Sequence, residues 1–332
     1  MAWSMLGNLS FRQRLKQAPV DTKIMKHIQQ KLKIGRTKNR SLKGDRDADI
    51  RARQQHLRDT FHGKAVLLKS ASLLEELPFE GQPEVCFAGR SNVGKSSLIN
   101  SLLNTQTGNS ARVSPKPGET TSIDFYRILR LKSHEANKQQ QQQQQPQQQR
   151  RPQKTPRNRK HKKGRNDPQT VAAGGESGAT GTPSSQDDLI VAPSKDCPIF
   201  VDLPGYGFAH AKAEEQARWT ALAEHYFSRR DSLATVCLVV DARHGLKDSD
   251  REFLRSLQQH GTPFRVVLTK SDLVDQTTLA KMHWLVDQDV SDCIQAAPRG
   301  RKKPFSIDLV SSRTHAGILE LRNDLWKVQP KP

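Results

Sequence analysis

Gly89-Arg90-Ser91-Asn92-Val93-Gly94-Lys95-Ser96-Ser97 is the stretch on which the reading of this 332-residue chain turns. It fits G-x-x-x-x-G-K-[ST], follows a short apolar run at Glu84 to Ala88, and leads into Leu98, Ile99, Leu102 and Leu103 at helical spacing. A strand, a tight loop and a helix are therefore expected in that order. The residue types suit a polyphosphate. Glycines let consecutive backbone N–H groups curl around anionic oxygens, and the helix N-terminus adds partial positive charge. In this pattern Lys95 reaches the β- and γ-phosphates and Ser96 ligates magnesium, while Gly89, Arg90, Ser91, Asn92, Val93, Gly94 and Ser97 form the rest of the cradle.

Four further segments follow in a consistent order. Asp202-Leu203-Pro204-Gly205 ends the apolar run Ile199 to Val201, where a carboxylate can hold magnesium and a glycine N–H can meet a γ-phosphate. Thr269-Lys270-Ser271-Asp272 closes the run Phe264 to Leu268. An aspartate there accepts from guanine N1 and N2, donors that adenine does not present, so this segment selects GTP over ATP. Ser311-Ser312-Arg313 follows the last apolar run; alone it would read as a helix cap, and in fourth position it reads as a base contact. Between the first two motifs, Lys116 and Pro117 precede Gly118, Glu119, Thr120, Thr121 and Ser122, where a mobile threonine, Thr120, would complete the magnesium shell beside Ser96 and Asp202.

Working outward, the apolar runs at Glu84, Ile123, Pro198, Thr235, Phe264 and Phe305 alternate with amphipathic helices near Glu214 to Arg229, Asp250 to Gln259, Thr277 to Asp287 and Ile318 to Trp326. That alternation predicts a mostly parallel sheet covered on both faces. A capping box from Ser249 to Glu252 is expected at the helix that follows Asp248. The formal charge of +20 is not spread over this pattern. Residues 1–60 carry 15 basic and 5 acidic side chains and residues 132–195 carry 12 and 5, whereas the remainder is nearly neutral. The second of these segments runs through a glutamine tract, the basic block Arg150 to Arg165 and a Gly/Ser/Thr/Pro stretch, and reads as a low-complexity insertion with little to bury. The expected organisation is a basic N-terminal extension over 1–60 and one domain over 61–332, interrupted at 132–195. No run of about 18 apolar residues exists, which excludes a membrane-spanning helix. Cys86, Cys197, Cys237 and Cys293 lie far apart without a C-x-x-C pair, and read as buried reduced thiols.

GRSNVGKSSLIN, KPGETTSIDFY, FVDLPGYGFA, LVVDARHGLKDSD, VVLTKSDLV and SSRTHAGI together resemble the EngB family of ribosome-assembly GTPases, also called YsxC or YihA. The resemblance covers essentially the whole core outside the insertion. It implies an α/β P-loop NTPase fold, a Ras-like GTPase domain whose mostly parallel sheet has one antiparallel edge strand. It also implies GTP and GDP binding with Mg2+, slow GTP hydrolysis, and maturation of the large ribosomal subunit, with rRNA and ribosomal proteins as partners and a monomeric chain. Thr120 becomes the switch threonine, and Thr269 stands where most GTPases have asparagine. Glu119 departs from the basic residue common in that switch, and the insertion splits a hairpin.

Lys95, Thr120, Gly205 and Asn92 are the catalytic candidates. Tyr206 occupies the place of the glutamine that orients water in many GTPases and cannot replace it. Asn92 resembles the asparagine that supports K+ in related GTPases; a turn-stabilising asparagine is the structural alternative. Residues 1–43 contain 11 basic side chains and one acid, with Val20, Ile24, Ile28 and Leu32 repeating every four residues. This reads as a mitochondrial import sequence and places the protein in the matrix; a cytoplasmic or other organellar protein with a solvated tail or rRNA-binding arm is the competing reading. The block Arg150 to Lys163 would bind phosphate backbone without base readout, or serve nuclear localisation. A GTP-sensing scaffold with negligible hydrolysis, and a GTPase partner in RNA modification, are the rival functions.

Overall fold

The computed structural model describes residues 9–35, 43–60, 63–78, 81–103, 122–130, 197–206, 213–294 and 305–328. Seven strands form one sheet: β1 (Gly63–Ala71), β2 (Glu84–Gly89), β3 (Ile123–Arg130), β4 (Ile199–Asp202), β5 (Leu233–Asp241), β6 (Phe264–Thr269) and β7 (Ile307–Leu309). The helices are α1 (Phe11–Gln17), α2 (Thr22–Lys26), α3 (Lys43–Thr60), α4 (Lys95–Leu103), α5 (Ala213–Arg229), α6 (Asp248–Gln259), α7 (Gln276–Cys293) and α8 (Ile318–Leu325), and α2 runs on into a π-helical stretch at His27–Leu32. The strand order is β1-β3-β4-β2-β5-β6-β7, with β2, β4, β5, β6 and β7 parallel.

The central strands are apolar on both sides because both faces are covered. All nine residues of β5 are buried. Its alternate side chains divide between two cores: Val236, Leu238 and Val240 pack with α5, α6 and α7, whereas Cys237 and Val239 pack with α4 and α8. β2 divides the same way, Cys86 and Ala88 to the first core, Val85 and Phe87 to the second. All four cysteines are free thiols; burial raises Cys86 well above the usual value and Cys237 to about 12, which keeps both protonated.

Four features differ from the sequence expectations. β1 has no counterpart in them, and it pairs antiparallel outside β3. The antiparallel strand β3 is consequently not the sheet edge but lies between β1 and β4. The register Asp124↔Asp202, Phe125↔Val201, Tyr126↔Phe200 makes β3 and β4 the two arms of the hairpin into which residues 132–195 are inserted. The box expected from Ser249 and Glu252 does not form: α6 is capped one-sidedly from Lys247, whose N–H donates to Asp250 Oδ2 at 2.8 Å, with no cap bond from the Lys247 side chain. The apolar stripe placed in an extension before residue 61 packs on the core instead: Ile28 and Leu32 are buried there, with Val20 and Ile24 against it. The insertion itself, the switch residues Gly118, Glu119, Thr120 and Thr121, and residues 298–303, whose sequence PRGRKK is a further short basic segment, lie outside the described residues. Among the described residues no helix is long and apolar enough to cross a membrane.

Candidate nucleotide-binding site

The site forms at the C-terminal ends of β2, β4, β6 and β7, where the strand order reverses around β2 and open α/β sheets bind ligands. Gly89 ends β2 so close to β5 that a Cβ would sit 2.6 Å from the Val239 carbonyl. The loop then turns through two left-handed residues, Asn92 at φ 63° and Gly94 at φ 99°, which bends the backbone into the concave arc that suits an anion. α4 starts at once, with the Leu98 N–H donating to the Gly94 carbonyl at 2.9 Å. The Lys95 ammonium is ion-paired with Asp202, and Ser96 Oγ donates to Asp202 Oδ2 at 3.4 Å. Burial raises the Asp202 carboxyl above its usual value against the pull of Lys95, and the neighbouring Asp124 carboxylate pushes the same way as burial. A hydroxyl and a buried carboxylate side by side are hard oxygen donors, and a site of one or two protein oxygens shared with phosphates fits Mg2+. Among the described residues no cluster of three His, Cys, Asp or Glu competes for a metal.

Asp202 to Gly205 lies directly against the phosphate loop. The Leu203 N–H donates to the Phe87 carbonyl at 3.1 Å, and a Cβ on Gly205 would lie 3.0 Å from the Ser91 nitrogen, a tight approach that a larger residue makes only if the loop shifts by a few tenths of an ångström. Pro204 lies buried between them. Tyr206 makes a parallel bridge to Arg90. The ring is buried and stacked on Phe253, 5.0 Å between centroids, and its hydroxyl donates to Asp250 Oδ1 at 2.7 Å. Burial and the Asp250 carboxylate raise the phenol well above its usual value, so it stays protonated. Asp250 also accepts from Arg90 Nε at 3.1 and 3.2 Å. The sequence reading missed Asp250. Its visible signals were its place as the last residue of LVVDARHGLKDSD and an acid three residues beyond Lys247, at the start of a helix.

On the base side, Thr269 Oγ1 donates toward the Val93 carbonyl at 2.5 Å, with the Val240 carbonyl at 3.2 Å, and so ties β6 to the phosphate loop. Lys270 takes a left-handed conformation, and its ammonium reaches the Asn92 carbonyl at 2.5 Å and Asp241 at 3.1 Å. Ser271 is buried, its hydroxyl donating to the Leu268 carbonyl at 2.8 Å. Ser311, fully buried, donates to Asp272 Oδ1 at 2.7 Å and accepts the Thr314 N–H at 3.1 Å. It thus caps the turn and holds the carboxylate rather than facing a base. Ser312 and Arg313 line, with Gly94, Ser97 and Asp272, a cavity of about 500 Å3. Ser122 Oγ donates to Asp124 Oδ1 at 3.1 Å at the start of β3.

Asp241, beneath this loop, titrates at about 2 instead of 3.8: burial raises it, but hydrogen bonds from Arg243 and from Lys270 outweigh burial. A carboxyl depressed by folding stabilises the native state above its unfolded pKa, and that stability is lost as pH falls through the folded value. Asp241→Asn should therefore lower the melting temperature at neutral pH. The gap from the unchanged protein should close between about pH 4 and 2; a gap independent of pH would contradict the assignment.

A strand–loop–helix cradle, magnesium-type donors and an Asp272 carboxylate held by Ser311 beside that cradle fit a P-loop GTPase. The model of the family described as "50S ribosome-binding GTPase" matches residues 84–270. The probable GTP-binding protein EngB of Wolbachia pipientis wMel is 32% identical over 257 residues, 77% of this chain and 91% of that protein. Its counterpart in Petrotoga mobilis is 29% identical over 265 residues, covering 80% and 95%. A crystal structure of a probable GTP-binding protein engB aligns at 18% identity over 74% of this chain and 97% of that one, with a TM-score of 0.40. The chain belongs to the EngB family of GTPases.

Proposed function

We propose that this GTPase is an assembly factor for the large ribosomal subunit, controlled by whether GTP or GDP occupies the site and acting in the mitochondrial matrix, a location supported by the basic, acid-poor composition of residues 1–43 and not by the stripe Val20 to Leu32, which packs on the domain. The observation that carries the reading is the contact of Asp202 and Gly205 with the phosphate loop, in a chain whose family is described by ribosome binding. In this reading Lys95 would donate to the phosphates, Ser96 and Asp202 would hold Mg2+, and Gly205 would present its N–H toward the γ-position. The metal, when bound, neutralises charge on the phosphate oxygens. A γ-phosphate then orders the Thr120 and Gly205 segments, and hydrolysis releases them. Contact with rRNA is supported by the outer face of the N-terminal segment, where Arg12, Lys16, Lys23, Lys26, Lys31 and Lys33 are exposed, and by the basic composition of 132–195.

Sedimentation of fractionated cell extracts tests this directly. The protein should be found in mitochondria and travel with large-subunit precursors in GTP, and run free in GDP. Sedimentation free of large-subunit particles in both nucleotides would end the proposal.

Asn92 carries a second reading, K+-assisted hydrolysis. Its left-handed φ gives asparagine a backbone reason to stand there, and glycine satisfies the same φ without the side-chain oxygen. Hydrolysis should be faster in potassium than in sodium chloride at equal ionic strength, and Asn92→Gly should erase the difference while keeping GDP affinity. Equal rates in the two salts for the unchanged protein would refute it.

A further inference from the structure

The N-terminal apolar stripe does not project from the domain; it is spent on a docking site that ends at the guanine-recognition loop. Phe11 packs against Gly245, where an added Cβ would lie 3.1 Å from the ring. Arg14 pairs with Asp289, which Arg251 also holds at 2.8 Å, and Lys281 donates to the Lys16 carbonyl at 2.9 Å. These contacts, with the buried Ile28 and Leu32, fix residues 10–32 along α7. The chain then crosses onto the segment that follows Asp272. Ile34 is buried and its carbonyl accepts from Gln276 Nε2 at 3.2 Å. Gly35, at φ 100°, lies so close that a Cβ would meet Gln276 Cγ at 2.9 Å and the Val274 carbonyl at 3.2 Å. A cavity of about 670 Å3 has Lys33, Ile34 and Arg53 on one side and Asp272 and Arg313 on the other, so this segment and the base site share a wall.

We propose that residues 10–35 are a positioning element of the nucleotide site: they clamp the loop from Asp272 to Gln276 and thereby set the lifetime of bound guanine nucleotide. The inference rests on Asp272 as the guanine-recognising residue. That residue sits in a single short turn, Ser271–Leu273, entered through a left-handed Lys270. Ser311 restrains it from inside the fold, and Ile34 and Gly35 hold, from outside, Val274 and Gln276, which directly follow the turn. A base contact made by one carboxylate is only as durable as the loop that carries it. Because both GTP and GDP make that contact, loosening the clamp should affect the two alike, unlike a change at the γ-phosphate side. Coupling is reciprocal, so nucleotide must in turn hold the segment down.

Removing residues 1–35 would expose core, so the test uses the full chain with Gly35→Val, which combines a strained φ with a clash against Val274 and Gln276. Dissociation of a fluorescent GDP and of a fluorescent non-hydrolysable GTP analogue should each accelerate about fivefold or more. Trypsin cleavage at the exposed Lys23, Lys26 and Lys31 should slow severalfold when GDP is added to the unchanged protein. Dissociation rates equal to those of the unchanged protein, or cleavage indifferent to GDP, would overturn the proposal. Asp272→Asn, measured alongside, separates the two readings: if it leaves GTP affinity intact, the base assignment fails, and if it alone weakens binding, the clamp fails.

Discussion

Asp272→Asn is expected to weaken GTP binding about 100-fold and to shift preference toward xanthine nucleotides. In the proposed base contact the carboxylate would accept two hydrogen bonds, from guanine N1 and N2, and bonds to a charged group contribute about 1.5–3 kcal/mol each. An amide can accept only one of them and sets its own N–H groups against a donor, so a loss of roughly 3 kcal/mol follows, about two orders of magnitude in affinity. The structure adds a reason for the direction of the switch. Ser311 Oγ already donates to Asp272 Oδ1 at 2.7 Å. In the asparagine variant the same hydroxyl selects the rotamer with the amide oxygen inward, leaving the NH2 group toward the base, where xanthine presents a carbonyl in place of the guanine amine. Competition titration with GDP, XDP and ADP against a fluorescent GDP measures it. Unaltered GDP affinity in the variant would show that Asp272 does not read the base.

What the sequence disclosed, and what it hid, divides by the range of the interactions. The phosphate loop, Asp202 and Thr269 to Asp272 were legible because each motif is a local event: a strand end, a turn, a helix start. β1 was not. Its sequence, GKAVLLKSA, buries the small residues Ala65 and Ala71 and leaves Leu67 and Leu68 exposed, and a register shift between Leu67 and Lys69 breaks the alternation that marks a strand. The stripe Val20, Ile24, Ile28 and Leu32 was recognised as amphipathic, but periodicity does not say which apolar surface will cover it. That surface is α7, with which Ile28 and Leu32 share a core, and the residues that seal the contact, Asp289 and Gln276, lie more than two hundred positions away. Thr269 shows a middle case. Its departure from asparagine was visible, but the reason, a hydroxyl tied to the Val93 carbonyl of the phosphate loop, required the fold.

Replacing Asp250 with alanine should lower stability by roughly 3–5 kcal/mol, the effect of stripping a buried ion of its partner. Asp250 is fully buried and gathers the Arg90 guanidinium from the phosphate loop, the Tyr206 hydroxyl from the segment after Gly205, and the Lys247 N–H that starts α6. Without it the Arg90 guanidinium, whose side chain is 23% exposed, loses its carboxylate partner and keeps only partial contact with water, and a buried hydroxyl loses its acceptor. For a domain of this size such a loss corresponds to a fall in melting temperature of about 10 °C or more. Two milder variants separate the parts. Tyr206→Phe removes one hydrogen bond and keeps the ion pair, so about 1 kcal/mol is expected; Asp250→Asn keeps the shape and an acceptor but not the charge, and should fall between. The same series reads on function, because Tyr206 adjoins Gly205, the glycine proposed to meet the γ-phosphate. With Asp250 gone, the turn at Gly205 is no longer tied to Arg90, and the difference between GTP and GDP affinities should shrink while GDP affinity changes less. Thermal denaturation with paired GTP-analogue and GDP titrations decides the matter. An Asp250→Ala protein as stable as the original, or one that has lost GTP and GDP equally, would show that this carboxylate does not link the phosphate loop to the segment after Gly205.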